Sequence, residues 1–245
     1  MNRLQDKIIV VTGGSGLIGR AILEHVKGEG AIALNMDVNV PDNIKNGTIN
    51  CDITNENSVQ VALEEIVQTY GRIDGWVNNA YPRTADWGNK FENISTNSWR
   101  ENIDGQLNSL FICCKLVLAV MKNNNGSIVN IASVYGIVGP DFGVYDGTDM
   151  TMPAAYSAIK GGMINFTRYL ASYYGPLGVR VNCVSPGGIF DSQNERFVQQ
   201  YEQKVPMRRM GKPQEIAPSV SFLLSDEAAY ITGHNLIVDG GWTSI

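Results

Sequence analysis

The sequence predicts an α/β protein, a doubly wound parallel sheet with helices on both faces, forming a single domain over residues 1–245. Three observations predict it. Short apolar runs alternate with helix-period stretches along the whole chain. The first of these runs, Lys7-Ile-Ile-Val-Val11, is apolar without interruption, as in a strand buried on both sides. At 245 residues the chain can bury one sizeable core, and no repeat, linker or low-complexity tract divides it.

The elements follow in order. After the first strand comes a glycine-rich turn and a helix from Leu17 to Gly28. Ala31–Met36 is the second strand and Thr48–Cys51 a short third. Thr54 can cap a helix reaching Tyr70, because Val59, Leu63, Ile66 and Val67 recur at helical spacing. Gly75–Asn78 is strand four, followed by a long helix over Ser98–Lys122. Asn123-Asn-Asn-Gly126 is a turn signal before strand five at Ser127–Ala132. A helix over Ala155–Tyr174, strand six at Val179–Val184, a helix started by Pro213 and a last strand at Leu236–Val238 complete the pattern.

Composition narrows the function. Apolar residues make up 44% and charged residues 18%, as in an ordinary globular protein, and the net charge of −5 argues against a nucleic-acid partner. Met1–Lys7 is short and polar and Ile8–Val11 too brief for a secretory apolar region. The stretch Leu110–Met121 carries Lys115 and is too short to span a bilayer, so no membrane partner is expected. Four cysteines without a CxxC pair, and two histidines, make a zinc site improbable; reduced thiols in a cytoplasmic protein are the expectation.

Thr12-Gly-Gly-Ser-Gly-Leu-Ile-Gly19 lies where a dinucleotide pyrophosphate can meet free backbone N–H groups and the positive end of a helix dipole. Gly13 permits the tight turn, Gly16 the approach of phosphate, and Gly19 the packing of helix on strand. Ser15, Leu17 and Ile18 complete this part of the expected cofactor site. A glycine-rich turn alone is equally a tight connection with no ligand. Asp37 adds weight, since it ends strand two where a carboxylate should accept the adenosine ribose hydroxyls. Its charge opposes the 2′-phosphate of NADP, and Val38-Asn39-Val40 offers no cation, so NAD is favoured. Asp52 is open to two readings, an adenine contact or a helix-start residue.

Tyr156 and Lys160 are four apart in a helix and project from one face. A free tyrosine, with a pKa of about 10, is a poor base at neutral pH. A nearby ammonium together with a cationic nicotinamide favours phenolate, which can exchange a proton with a substrate hydroxyl. Lys160 would also hydrogen-bond the nicotinamide ribose, and Ser133, at the end of strand five, would hold the substrate oxygen.

On these motifs the chain resembles the short-chain dehydrogenase/reductase family over nearly its whole length. Asn78-Asn79-Ala80, Ile131-Ala132-Ser133, Tyr156-Ser-Ala-Ile-Lys160, Arg180-Val-Asn-Cys-Val-Ser-Pro-Gly187, Met210–Ile216 and Tyr230–Gly241 carry the resemblance. It implies a Rossmann-like fold, catalysis by Ser133, Tyr156 and Lys160, and a nicotinamide cofactor near Ile53, Asn79, Ala80, Pro186, Gly187 and Ile189. It also implies a homotetramer or dimer joined through the Tyr156 helix, where Gly161-Gly162 points to close backbone packing. Three departures stand out. Tyr81 replaces the usual glycine after Asn79-Ala80, Gln106 or Asn102 occupies the region of the family's fourth catalytic residue, and Asp191 stands where a threonine often meets cofactor.

Residues 139–153 form a segment longer than usual, with Asp141, Tyr145, Asp146 and Asp149 bordering the expected pocket. Together with Asn79–Arg83 and Ser185–Asp191 it resembles oxidoreductases of bacterial flagellin and surface-sugar modification, and polar loops suit a hydroxyl-rich substrate; an extended surface loop is the equal alternative. The expected activity is hydride transfer between NAD(H) and a secondary alcohol or carbonyl, with a sugar or sugar derivative among the candidate substrates. The alternatives are a catalytically idle NAD(H) sensor or scaffold, and an epimerase or dehydratase that recycles its NAD.

Overall fold

The computed structural model describes residues 2–122 and 124–245, so Asn123 of the expected turn lies outside it. Seven strands form one sheet: β1 (Ile8–Thr12), β2 (Ile32–Asp37), β3 (Thr48–Asn50), β4 (Gly75–Asn78), β5 (Ser127–Ile131), β6 (Arg180–Pro186) and β7 (Asn235–Val238). Their spatial order is β3-β2-β1-β4-β5-β6-β7 and every pairing is parallel. In the centre, Val10 stands opposite Leu34 on one side and Trp76 on the other. The fold is a single-domain, Rossmann-like doubly wound sheet, as the alternating pattern predicts.

The helices are α1 (Leu17–Gly28), α2 (Glu56–Tyr70), α3 (Thr96–Ile103), α4 (Ser109–Met121), α5 (Ala154–Tyr174), α6 (Glu195–Lys204) and α7 (Pro213–Leu224). Strand side chains alternate between the faces. Ile8, Val10 and Trp76 join the cluster under α2, α4 and α5 with Leu63, Leu118 and Met163. Ile9, Val11 and Val77 join the other, with Ile22 of α1 and Val220 of α7. Both faces of the central strands are therefore dry, which is why those strands read as continuous apolar runs.

The structure corrects several local expectations. Asn55, not Thr54, caps α2 by accepting the Ser58 N–H; Thr54 donates its N–H (2.9 Å) and hydroxyl (2.7 Å) to Asp52 instead. The long helix starts at Thr96 under a Ser95 cap, two residues before Ser98, and widens into a π turn at Asp104–Asn108. The run Thr96–Met121 is thereby 26 residues and apolar enough to cross a bilayer by length and composition, beyond what Leu110–Met121 alone implied. Its α4 part instead buries Leu110, Cys113, Cys114, Val117, Leu118 and Met121 in the core. Helix α6 was not foreseen at all.

Candidate active site

A cleft of about 860 Å³ opens at the carboxyl ends of the strands, where the chain order reverses between β1 and β4. This switch point is where open α/β sheets take ligands. Gly13, Asp37, Asp52, Asn79, Ser133 and Gly187, which end or follow six successive strands, all line it.

At one end the site is built from backbone. Gly13 has φ +62°, and a Cβ there would lie 2.7 Å from the Ala80 Cα. Gly16 caps α1 without a side chain, so no hydroxyl or carboxylate occupies the first-turn N–H groups, and Gly16, Leu17 and Ile18 face the cleft. Gly19 does not line the cleft; a Cβ there would collide with the Gly13 carbonyl, so its role is packing. Asn79 is tied up structurally, donating from Nδ2 to the Thr12 (3.0 Å) and Gly13 (2.9 Å) carbonyls and stapling β4 to β1. Its neighbour Ala80 donates its N–H to the Thr12 hydroxyl at 3.1 Å.

Asp37 is buried, with one oxygen accepting the Ser15 N–H (3.1 Å) and the other the Asn39 N–H (2.9 Å). The carboxylate thus joins the glycine turn to the end of β2 and lines the cleft alongside Ser15. Asp52 and Ile53 line it after β3, and Asp52 also accepts the Thr54 N–H (2.9 Å) ahead of α2. Pro186, Gly187 and Ile189 form the opposite rim after β6, with Asp191 beyond them.

At the other end Ser133, Tyr156 and Lys160 converge. Ser133 follows β5 and accepts the Tyr135 N–H (3.2 Å), and its hydroxyl stands near enough to the Tyr156 phenol to draw its pKa down. Lys160 donates to the Ile131 carbonyl at 2.7 Å, and its ammonium stands 5.5 Å from the centroid of the Tyr156 ring. Within the chain, Gly136 comes closest to this helix: a Cβ on it would lie 2.6 Å from the Lys160 carbonyl carbon. That glycine lets the turn after Ser133 rest directly on α5.

In the protein alone, burial dominates the electrostatics of this end. Burial pushes the Tyr156 phenol above its ordinary value, and only the Ser133 hydrogen bond pulls it down. Burial brings Lys160 down to about 8, so the protein by itself holds a neutral phenol beside an easily titrated ammonium.

Neither candidate for a fourth catalytic residue lines the cleft. Asn102 is committed to the preceding loop, donating to the Ser98 carbonyl (2.9 Å) and Thr84 hydroxyl (2.8 Å) and accepting the Thr84 N–H. Gln106 sits in the π turn with both amide atoms buried and without a protein partner.

The 139–153 segment also differs from its polar reading. Asp146 and Asp149 are exposed and Asp141 pairs with Lys204, whereas Tyr145, Met150, Thr151 and Met152 face the cleft. Tyr145 stacks on Phe197 of α6 (5.2 Å between centroids), and Tyr201 stacks on Trp242 (4.5 Å). Phe197 and Tyr201, which no motif marks, and Met210, which opens the Met210–Ile216 motif, complete this aromatic and thioether wall. Facing it, Tyr81 meets the Tyr156 ring edge-on at 5.7 Å, and Arg83 lies over Tyr81. The replacement of glycine by Tyr81 was the one visible signal of this side.

Among the described residues no group of three His, Cys, Asp or Glu side chains could hold a metal ion. The four cysteines are free and buried.

Comparison with known proteins finds relatives along nearly the whole chain. The family model described as enoyl-(acyl carrier protein) reductase matches residues 18–243. The chain is 31% identical to a post-translational flagellin modification protein A of Campylobacter coli, over 98% of this chain and 99% of that one. Among solved structures, a short-chain dehydrogenase from Leptospira borgpetersenii with bound NAD+ superposes with a TM-score of 0.89 at 35% identity, covering 98% and 93% of the two chains. The aldohexose dehydrogenase of Thermoplasma acidophilum gives 0.85 at 34% identity, covering 100% and 96%. The protein with this cleft, sheet order and Ser–Tyr–Lys cluster belongs to the short-chain dehydrogenase/reductase family of oxidoreductases.

Proposed function

We propose that the protein is an NAD-dependent oxidoreductase acting at the CH–OH or carbonyl carbon of a small secondary alcohol or ketone, with sugars and their derivatives as the leading substrate class. The observation that carries this reading is the convergence of Ser133, Tyr156 and Lys160 at one end of a cleft whose other end is an uncapped helix N-terminus and Asp37. A dinucleotide fits there: the Gly16 cap leaves N–H groups for a pyrophosphate, and Asp37 offers acceptors for ribose hydroxyls. With no cation at Val38-Asn39-Val40, NAD is preferred to NADP. When bound, the cofactor supplies the hydride acceptor or donor.

The chain's own residues do the rest. Ser133 holds the substrate oxygen, and Tyr156 takes the hydroxyl proton at Oη in oxidation or returns it in reduction. Burial keeps Tyr156 protonated in the protein alone; a bound cationic nicotinamide together with the Lys160 ammonium, 5.5 Å from the Tyr156 ring, would favour the phenolate, and Lys160 would also hold the nicotinamide ribose. A sensor or scaffold would not need all three groups. Free, buried cysteines are consistent with a cytoplasmic enzyme. Exposed Phe111, Tyr169 and Tyr173 on α4 and α5 support a dimer or tetramer joined through these helices.

The test is NADH formation on a panel of sugars, sugar phosphates, nucleotide sugars and secondary alcohols. Tyr156→Phe removes the proton-transferring hydroxyl and keeps the ring, so turnover should fall about 10²–10⁴-fold while NADH affinity stays close to wild type. Activity within a few-fold of wild type would sink the mechanism. Product formation without net NADH change would favour the recycling reading.

A further inference from the structure

The charged side chains that line the cleft are Asp37, Asp52, Arg83, Lys160 and Asp191. Asp37 and Asp52 follow β2 and β3 at the adenosine end, and Lys160 is engaged with the Ile131 carbonyl beside Tyr156. Arg83 has no assigned task. Its guanidinium carbon lies 5.2 Å from the centroid of the Tyr81 ring, and Tyr81 in turn meets the catalytic Tyr156 edge-on. One aromatic ring therefore separates this cation from the reacting hydroxyl.

The manner of holding matters. Contact with the Tyr81 ring takes up no hydrogen-bond acceptor, so the five N–H donors of this exposed guanidinium stay free for another partner. Among the described residues none of those donors meets a protein acceptor, and no carboxylate pairs with Arg83, although Arg3, Arg72 and Arg209 all find acidic partners. Tyr81 is itself braced edge-on by Trp87 at 5.5 Å, so the platform beneath the cation is fixed. The opposite wall, with Tyr145, Met150, Met152, Phe197 and Met210, contributes no cation. An aromatic-backed guanidinium with an unpaired edge suits a planar carboxylate or a phosphate, which it can grip bidentately.

We infer that Arg83, mounted on Tyr81, is a specificity-determining residue that binds an anionic group of the substrate, so that the preferred substrate is a hydroxy or oxo compound carrying a phosphate or carboxylate. This rests on the oxidoreductase reading and narrows its substrate class. The anion anchors the substrate against the Tyr81 side, leaving the carbinol carbon between Ser133 and Tyr156.

Calorimetric binding of matched pairs tests it, with and without saturating NADH: glucose against glucose 6-phosphate for the phosphate arm, and butane-1,3-diol against 3-hydroxybutyrate for the carboxylate arm. Wild type should bind the anionic member of at least one pair more than tenfold tighter, and the pair with the larger ratio names the anion. Arg83→Gln should cut that ratio about tenfold to a hundredfold, the scale of lost charge-assisted hydrogen bonds, while Arg83→Lys should keep part of it. Equal binding of both members of both pairs by wild type, or a ratio unchanged in Arg83→Gln, overturns the assignment. Failure of wild type to bind NADH would instead count against the cofactor reading, and the titrations without NADH would still report on Arg83.

Discussion

At the dinucleotide end of the cleft the chain contributes mostly backbone; at the substrate end it contributes side chains. The first end needs atoms to be missing: a Cβ on Gly13 would strike Ala80, and one on Gly19 would strike the Gly13 carbonyl. The second needs atoms to be present, since Tyr145, Phe197, Tyr201 and Trp242 pack ring upon ring to make a wall. The two ends therefore fail in opposite ways. A close-packed backbone turn rejects additions, and an aromatic wall rejects deletions. On the proposed function, the first end would take what every dinucleotide shares, and the second would set which substrate is accepted.

Three substitutions can break or sharpen this contrast. The largest effect is expected from Tyr145→Ala, which deletes a buried ring from the wall and should cost about 3–5 kcal/mol of stability. Chemical denaturation measures that cost. Titration should show NADH affinity within a few-fold of wild type, with substrate KM raised. Equal damage to NADH binding would show that the two ends are not independent.

Asp37→Ser should weaken NAD by about 1.5–3 kcal/mol, through lost charge-assisted hydrogen bonds, while relaxing discrimination against NADP. Values of kcat/KM for both cofactors at fixed ionic strength decide it. If the ratio of the two cofactors does not move, Asp37 is not the selector.

Gly19→Ala should be the mildest of the three, costing about 1–3 kcal/mol as the turn and α1 shift to accept one methyl. Its signature is an NADH dissociation constant that rises without a matching rise in substrate KM. A variant as stable as wild type with unchanged NADH affinity would mean that the turn has slack the geometry does not show.

The same contrast explains what could be read from the sequence. Ile8–Val11 and Trp76–Val77 are buried on both faces, so apolar continuity located the central strands. Gly13, Gly16 and Asp37 lie within one strand–turn–helix–strand unit, where spacing maps directly onto space. Tyr156 and Lys160 were legible because one helical turn joins them. The substrate wall was not, because Tyr145, Phe197 and Trp242 meet only through tertiary packing. Helix α6 escaped notice because Phe197, Val198 and Tyr201 are its few apolar residues among Glu, Gln and Lys. The π turn at Asp104–Asn108 inserts a local slip that helical periodicity averages away, and with it the true surroundings of Gln106. The acidic residues of 139–153 misled for a simple reason: composition does not say which way a loop faces.

That loop is also fastened along its length to α6. Asp141 pairs with Lys204, Gln200 donates to the Val144 (2.9 Å) and Asp146 (3.2 Å) carbonyls, and Tyr145 lies flat against Phe197. A flap hinged at its own two ends could swing away from the cleft alone; this one cannot without shedding an ion pair, two hydrogen bonds and a ring stack. The wall beside this end of the cleft is thus a composite of two segments about fifty residues apart in sequence, tied so that neither can shift without the other.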